Sequence, residues 1–318
     1  MSSCVYNSYI LKFLLTTQIG EIMNIDNTLK AEILIEALPY ICKFQDQKIV
    51  IKYGGHAMVN SEAKNWVAKD VVLLRFVGLN PVVVHGGGPE IDAAMKKMGK
   101  KPEFIHGLRV TDEETLDIVK MILAGKINGD IVSKLGKYGG KAIGLSGKSG
   151  YLIEARKKIQ YIIKDNEKIE VDLGRVGEVE RINTELIDIL LEKKYIPVIS
   201  PIGIDSKGEA FNLNADMVAG DIAGAINAKK LIMITDVNGI MEDVNDPSTL
   251  FKKLTISDIE ELINNGVISG GMIPKVEACI NALNKGVESV HIVNGKIPHS
   301  ILLEIFTERG IGTMVVRD

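Results

Sequence analysis

A chain of 318 residues, 46% hydrophobic and 25% charged, is long enough for one large α/β domain or two smaller ones and has the composition of an ordinary soluble globular protein. Its formal net charge of −3 gives no general attraction to nucleic acid or to an anionic membrane, so any phosphate binding has to come from local placement. Three cysteines, Cys4, Cys42 and Cys279, stand far apart with no CxxC pair, which argues against a disulfide framework or zinc site and fits a reducing, cytoplasmic setting.

Residues 1–25 are expected to be a disordered tail. Residues 10–15 are mostly apolar, but Lys12 interrupts them and they are too short to span a bilayer. No basic start followed by a long apolar core marks a secretory signal, and Met23 offers an alternative start. From Asp26 the pattern is helical. Asp26 or Asn27 can cap, Leu34, Leu38 and Ile41 recur at three- and four-residue spacing, and Pro39 kinks or ends the helix.

Ile49-Val50-Ile51 is a short apolar run of the kind that makes a fully buried strand. Lys52 follows where that strand surfaces, just before Gly54 and Gly55. A lysine at the carboxyl end of a buried strand, beside paired glycines, sits where open α/β sheets bind ligands. There backbone N–H groups can approach an anion and the lysine adds a point charge. Asn60 or Ser61 caps a helix to about Val77, with Val67, Val71 and Leu74 on its buried face. Residues 81–85 form a second buried strand, ending in Gly86-Gly87-Gly88-Pro89 at the start of a helix to about Met98. A second glycine turn thus meets a helix N-terminus, an arrangement that holds anions. It is not a dinucleotide fingerprint, which needs glycine where Ile91 stands.

Residues 104–112 read as a loop into a helix begun by Thr111 or Asp112. Arg109 in that loop can fork onto a substrate carboxylate or pair with an acid of the chain itself. Gly147-Lys148-Ser149 imitates the end of a phosphate-binding P-loop, but that motif requires glycine at Ala142, so residues 142–145 read as a strand. Residues 151–180 alternate and read as β-hairpins, and Ile196–Ser200 as a buried strand. Asn212 or Asn214 caps a helix whose buried face is Ala215, Val218, Ala219, Ile222 and Ile226; its small residues permit close packing against a sheet. Asp216 lies in its first turn, where an acid complements the helix dipole. Lys230–Thr235 is another buried strand, followed at the ligand edge by Asp236-Val237-Asn238-Gly239. Pro274 starts a helix with Val276, Cys279, Ile280 and Leu283 buried. That start puts Lys275 in a first turn, where the dipole disfavours a cation unless an anion shares the site.

Strand ends, glycine turns and lysines recur, with no His-Cys-Asp metal set and no serine or cysteine triad. That is equipment for phosphoryl transfer by positioning and charge neutralisation. The ordered stretches 51–55, 85–89, 107–111, 212–216, 235–239 and 270–276 together resemble the amino-acid kinase family, a resemblance that in effect covers residues 30–318. One departure is Ser149, where that pattern has an acidic residue.

The resemblance implies a three-layer αβα sandwich around a mostly parallel central sheet. Its N-terminal lobe (about 48–228) would hold N-acetyl-L-glutamate and its C-terminal lobe (about 229–318) ATP with Mg2+. The implied reaction moves the γ-phosphoryl group of ATP to the side-chain carboxylate of N-acetyl-L-glutamate, an early step of L-arginine synthesis. An ionised carboxylate needs no general base. By resemblance, Lys52 and Lys275 face the transferred group and Asp216 orients both. Gly54 and Gly55 bind phosphate, Gly87, Gly88, Arg109 and Asn212 serve the substrate, and Asp236, Gly239 and Gly271 serve the nucleotide. Magnesium would ride on the phosphates, with no resident metal site. His291, Glu304 and Gly310 resemble the C-terminal signature of arginine-inhibited members, implying L-arginine as effector. The helix within 26–47 then implies oligomerisation, as a hexamer (a trimer of dimers) or a dimer. Alternatives are a carbamate, aspartate or uridylate kinase of the same fold, or a catalytically silent arginine-sensing module.

Overall fold

The apolar runs of the sequence lie side by side in one sheet. Its strands are β1 (Lys48–Tyr53), β2 (Asn80–His85), β3 (Ala142–Ser146), β4 (Ile196–Ser200), β5 (Lys230–Thr235), β6 (Lys253–Thr255), β7 (Ser289–Asn294) and β8 (Thr313–Val316), in the order β6-β8-β7-β5-β1-β2-β4-β3. The computed structural model describes residues 26–58, 60–164 and 167–318, so the tail expected over residues 1–25 lies outside the described residues. Neighbouring strands pair parallel except β7 and β8, so only the β8–β6 edge runs against the rest. Parallel pairing requires crossovers that cover both faces, which is why Ile49, Val50 and Ile51 are all fully buried.

Alternation along the strands sorts the two faces. Val50, Val82, Val84, Leu231 and Met233 share a core with Val218, Ile222, Val276 and Cys279, which come from the helices Ala215–Ala225 and Ile273–Asn284. On the other side, Tyr53 and Val83 line a cavity with Val67, Val71, Ile127 and Leu135, from the helices Ser61–Phe76 and Asn128–Lys137 and the π-helical turn Met121–Ile127 that leads into the second of them. The chain has the three-layer αβα architecture around a mostly parallel sheet. A smaller sheet of Ala210–Asn212, Ile202–Ile204, Ile153–Lys157 and Gly177–Ile182 stands beside it and carries Asn212. The expected hairpins of residues 151–180 are present: Gln160–Lys164 pairs with Glu167–Val171, inside the antiparallel pair Ile153–Lys157 and Gly177–Ile182.

Three local expectations are corrected. Residues 104–112 are not a plain loop, because Phe104–Ile105 and Leu108–Arg109 pair as a hairpin whose turn residues His106 and Gly107 both have positive φ, 47° and 77°. That is the hairpin-favoured geometry, here with an unusual first residue. Asp26 stands at the N-cap of Asn27–Glu36 without a side-chain capping bond. The small residues of Ala215–Ala225 serve a neighbouring helix as well as the sheet. A Cβ on Gly220 would lie 3.2 Å from Ala278 O, and one on Gly224 would lie 2.5 Å from Lys285 Cβ. Bare backbone therefore sets the approach of the helix Ile273–Asn284 and the residue that follows it.

The chain divides after Lys43 into two compact units. In the first, Asn27–Glu36 breaks at Ala37, and Pro39 falls in the first turn of the next helix, Leu38–Phe44, as the sequence predicts. Leu34 and Ile35 are exposed. In the second unit Cys279 is fully buried, with Sγ 3.5 Å from Met233 Sδ.

Gly224→Val forces a branched side chain into the helix contact. It should cost ~1–3 kcal/mol of stability, the usual range for overpacking a closed interface. A lower urea midpoint with unchanged m-value is the expected result.

Candidate functional site

Two helix N-termini and the end of the central strand converge on one carboxylate. Asn214 caps the helix Ala215–Ala225 by accepting from the N–H groups of Asp216 and Met217 at 2.9 and 3.1 Å, which places Asp216 in the first turn. Pro274 opens Ile273–Asn284, which places Lys275 in its first turn. Lys52 arrives from β1. Lys52 Nζ lies 2.8 Å from Asp216 Oδ1, and Lys275 Nζ lies 3.2 Å from Asp216 Oδ2. Lys275 donates a hydrogen bond, whereas the Lys52 contact is an ion pair out of line for one. Burial pushes the Asp216 carboxyl up, but the charges of Lys52 and Lys275 outweigh it and hold its pKa below the usual carboxylate range. Asp216 is thus an anion with both oxygens engaged, and the lysines keep their remaining N–H groups for another ligand.

The glycines around this triad differ in what they do. A Cβ on Gly54 would stand 2.4 Å from Lys52 Nζ, so the lysine's own ammonium occupies the space a side chain would take. Gly55 has φ +64° and lies against Asp236, whose Oδ1 would be 2.3 Å from an added Cβ. Gly88 meets nothing within 4 Å and borders open space.

Arg109 is 7% exposed, and its guanidinium is held on several sides. Nη1 lies 2.6 Å from Asp92 Oδ1 and donates to Met95 Sδ at 3.3 Å, Nη2 reaches Gly88 O at 3.4 Å, and the group stacks 4.7 Å from the centre of the Phe104 ring. Of the two readings the sequence leaves open, pairing with an acid of the chain is the one observed here. Asn212 Nδ2 donates to Thr111 Oγ1 at 3.2 Å, and that hydroxyl donates to Arg109 O at 2.8 Å. Gly88, Arg109 and Asn212 are therefore linked in space. Sequence reasoning missed Asp92, Phe104 and Thr111, since a lone acid in a helix carries no signal of its tertiary partner.

The residues expected for the nucleotide have different surroundings. Asp236 backs Gly55, and Gly271 is exposed. Gly239, at φ +148°, is buried where a Cβ would lie 2.4 Å from Thr313 Oγ1, so its backbone serves the turn. His291, Glu304 and Gly310 do meet. His291 Nδ1 lies 2.6 Å from Glu304 Oε1, while Glu304 Oε2 accepts from Ile311 N and Gly312 N at 2.7 and 2.9 Å. Gly310, at φ +57°, leaves room for that carboxylate. His291 Nε2 lies 2.8 Å from Lys230 Nζ, which marks Lys230 as a further member. Burial, together with the Lys230 charge, keeps His291 below its ordinary pKa despite Glu304. Its neutral ring donates from Nδ1 and accepts at Nε2. Among the described residues no group of three or more His, Cys, Asp or Glu side chains is placed to hold a metal, and no helix is long and apolar enough to cross a membrane.

The chain is a phosphotransferase of the amino acid kinase family, whose sequence model matches residues 47–294. Within that family it groups with the acetylglutamate kinases. The acetylglutamate kinase of Methanococcus aeolicus is 82% identical over 293 residues, covering 92% of this chain and 100% of that protein. That of Methanocaldococcus jannaschii is 70% identical over 290 residues, covering 91% and 97%. An N-acetylglutamate synthase from Neisseria gonorrhoeae, solved with coenzyme A and N-acetyl-glutamate, aligns with a TM-score of 0.78 at 26% identity, over 91% of this chain and 63% of that one. The same synthase with coenzyme A and L-arginine gives 0.73 at 26% identity, over 91% and 65%. The chain thus spans under two thirds of those synthase chains. A carbamate kinase from Giardia lamblia bound to AMP-PNP gives 0.59 at 16% identity, over 86% and 99%, a likeness of fold alone.

Arg109→Lys keeps the charge and loses the planar fork. It should raise KM for the amino-acid substrate by roughly tenfold, as for loss of a charge-assisted bidentate contact, and leave KM for the nucleotide near its starting value. Equal shifts in both constants would show that Arg109 only braces the fold.

Proposed function

We propose that this chain transfers the γ-phosphoryl group of ATP to the side-chain carboxylate of N-acetyl-L-glutamate, giving N-acetyl-L-glutamyl 5-phosphate and ADP, in arginine biosynthesis. The observation that carries this reading is the bridge from Asp216 to Lys52 and Lys275; the acetylglutamate kinases at up to 82% identity supply the acceptor. The acceptor carboxylate is already an anion at neutral pH, so its oxygen attacks the γ-phosphorus without a base while the bond to the β-phosphate oxygen breaks. Lys52 and Lys275 neutralise charge on the transferring oxygens from two sides, and Asp216 keeps both ammonium groups aimed. Gly54, Gly55 and Gly87 offer backbone N–H groups to the same oxygens. Arg109, Asn212 and Gly88 hold the α-carboxylate end of the acceptor.

Residues 48–228 form the acceptor lobe and 229–318 the nucleotide lobe, with Asp236, Gly239 and Gly271 on the ATP side. Asp216 is committed to the lysines, so these residues fit a magnesium ion carried by the nucleotide's own phosphates, where it supplies further charge neutralisation. The setting is cytoplasmic.

ATP turnover measured side by side with N-acetylglutamate, glutamate, aspartate, carbamate and UMP tests the substrate. N-acetylglutamate should lead by a wide margin, and Lys275→Ala should lower kcat by ~10²–10³-fold, as for loss of one preorganised charge donor. Preference for another acceptor sinks the reading.

The regulation proposed is inhibition by L-arginine, with a hexamer built through the helices of residues 26–47. Glu304 is a buried acceptor beside His291 and Gly310, suited to a guanidinium fork once its own partners rearrange. Leu34 and Ile35, exposed on the N-terminal helix, are the apolar surface available to a neighbouring subunit. A protein beginning at Lys43 should sediment as a dimer. Glu304→Gln keeps acceptors for Ile311 and Gly312, should stay hexameric, and should need ~10-fold or more arginine for half inhibition, because its charge is gone. A full-length dimer indifferent to millimolar arginine ends the proposal.

A further inference from the structure

His85 ends β2 and is fully buried, and the phosphoryl-transfer reading gives it no task. Both ring nitrogens are engaged. Nε2 lies 3.1 Å from Asn128 Nδ2, and Nδ1 lies 2.9 Å from Gly86 O. Asn128 Nδ2 also lies 2.9 Å from Val198 O and 3.4 Å from Leu145 O. Those carbonyls can only accept, so the amide nitrogen and not its oxygen has to face them and the imidazole. An amino group donating to Nε2 leaves the ring proton on Nδ1, and Nδ1–H therefore donates to Gly86 O. Burial holds the ring neutral by pushing its pKa down to about 4, against a smaller upward effect of the Gly86 bond.

The Gly86 carbonyl shares a peptide plane with the Gly87 N–H. That peptide is trans, so its C=O and N–H point in opposite directions. An oxygen pinned toward His85 turns the Gly87 N–H away from the ring. Among the described residues, that N–H has no acceptor. Gly86 N donates to Tyr53 O at 2.9 Å, which ties the loop to β1 one residue beyond Lys52. Behind the loop stands the π-helical turn Met121–Ile127. A Cβ on Gly87 would lie 2.3 Å from Ile127 Cδ1 and 2.7 Å from Leu123 Cδ2. The residue after that turn is Asn128, so one wide turn supplies both the wall behind Gly87 and the amide that orients His85.

We propose that His85 and Asn128 are positioning residues for phosphoryl transfer: Asn128 selects the imidazole tautomer, and His85 grips the Gly86 carbonyl so that the Gly87 N–H is aimed at the transferring group. The inference rests on the reaction proposed above, and it is tested in a way that separates the two. The amide nitrogen of asparagine falls near the place of Nδ1, and that of glutamine near Nε2. His85→Asn should keep kcat within about fivefold of wild type, while His85→Gln and His85→Leu should lose ~10²-fold, as for one misdirected transition-state donor. KM for ATP and N-acetylglutamate should move by less than about threefold in all of them, since the donor acts in the transition state. A His85→Leu protein with wild-type kcat, or kcat values that simply follow melting temperature, overturns the proposal. Nitrogen NMR of the labelled wild-type imidazole gives an answer without turnover and without the variants folding. The Nδ1–H tautomer, unchanged across neutral pH, is expected; the Nε2–H tautomer overturns it. A wild-type protein inactive toward N-acetylglutamate would sink the substrate reading alone, and the variants would then be compared on the acceptor it does use.

Discussion

Two ammonium groups held close together repel each other, and Asp216 lets Lys52 and Lys275 share a site. Unit charges about 5 Å apart at an effective dielectric of about 20 cost ~3 kcal/mol. A carboxylate touching both turns that repulsion into two attractions and leaves the triad with one net positive charge. The arrangement is selective as well as tolerable. Each lysine is tethered on one side by Asp216, so the two ammonium groups are held in place with N–H bonds to spare. The two helix N-termini that carry Asp216 and Lys275 add their dipoles in the same sense, toward a negative ligand.

The rest of the fold reads as support for that distance. Asp216 and Lys275 stand in the first turns of neighbouring helices, and bare backbone at Gly220 and Gly224 lets those helices approach. Lys52 comes from the middle of the sheet, where β2 and β5 on either side leave β1 no freedom to shift. The reach from β1 is completed by Gly54, over which the Lys52 side chain lies. A spacing defined by main chain and by strands paired on both edges is rigid for the same reason that the core is dense.

Much of this was legible because it is written in local rules. Buried strands, glycine turns and helix first turns mark Lys52, Asp216 and Lys275 one at a time, and Lys275 stands out because it offends the helix dipole. What could not be read depends on contacts between distant segments. Asp92 is one acid among many until the fold sets it 2.6 Å from Arg109. The hairpin at residues 104–109 turns through His106 in a left-handed conformation, which is uncommon for any residue with a side chain and is not signalled by a lone histidine in the sequence. The small face of Ala215–Ala225 was legible as a close contact, but a face shared with a helix and one packed only on a sheet look alike in one dimension. Glu304 reads as a solvated acid or an effector ligand, and it is buried, holding two backbone N–H groups.

Cys279 lies on the same helix as Lys275, one turn further in. Its thiol is wholly enclosed, and burial, reinforced by the nearby Asp216 charge, pushes its pKa far above the ordinary thiol value. Thiolate is the reactive form, so alkylating agents and peroxides have no purchase on it while the helix stays seated. Cys42, by contrast, is exposed. The rate at which Cys279 becomes modified is therefore a clock for how often the lysine-bearing helix lifts from the sheet, set into the molecule by the sequence itself and readable by mass spectrometry in an unlabelled, unmutated protein.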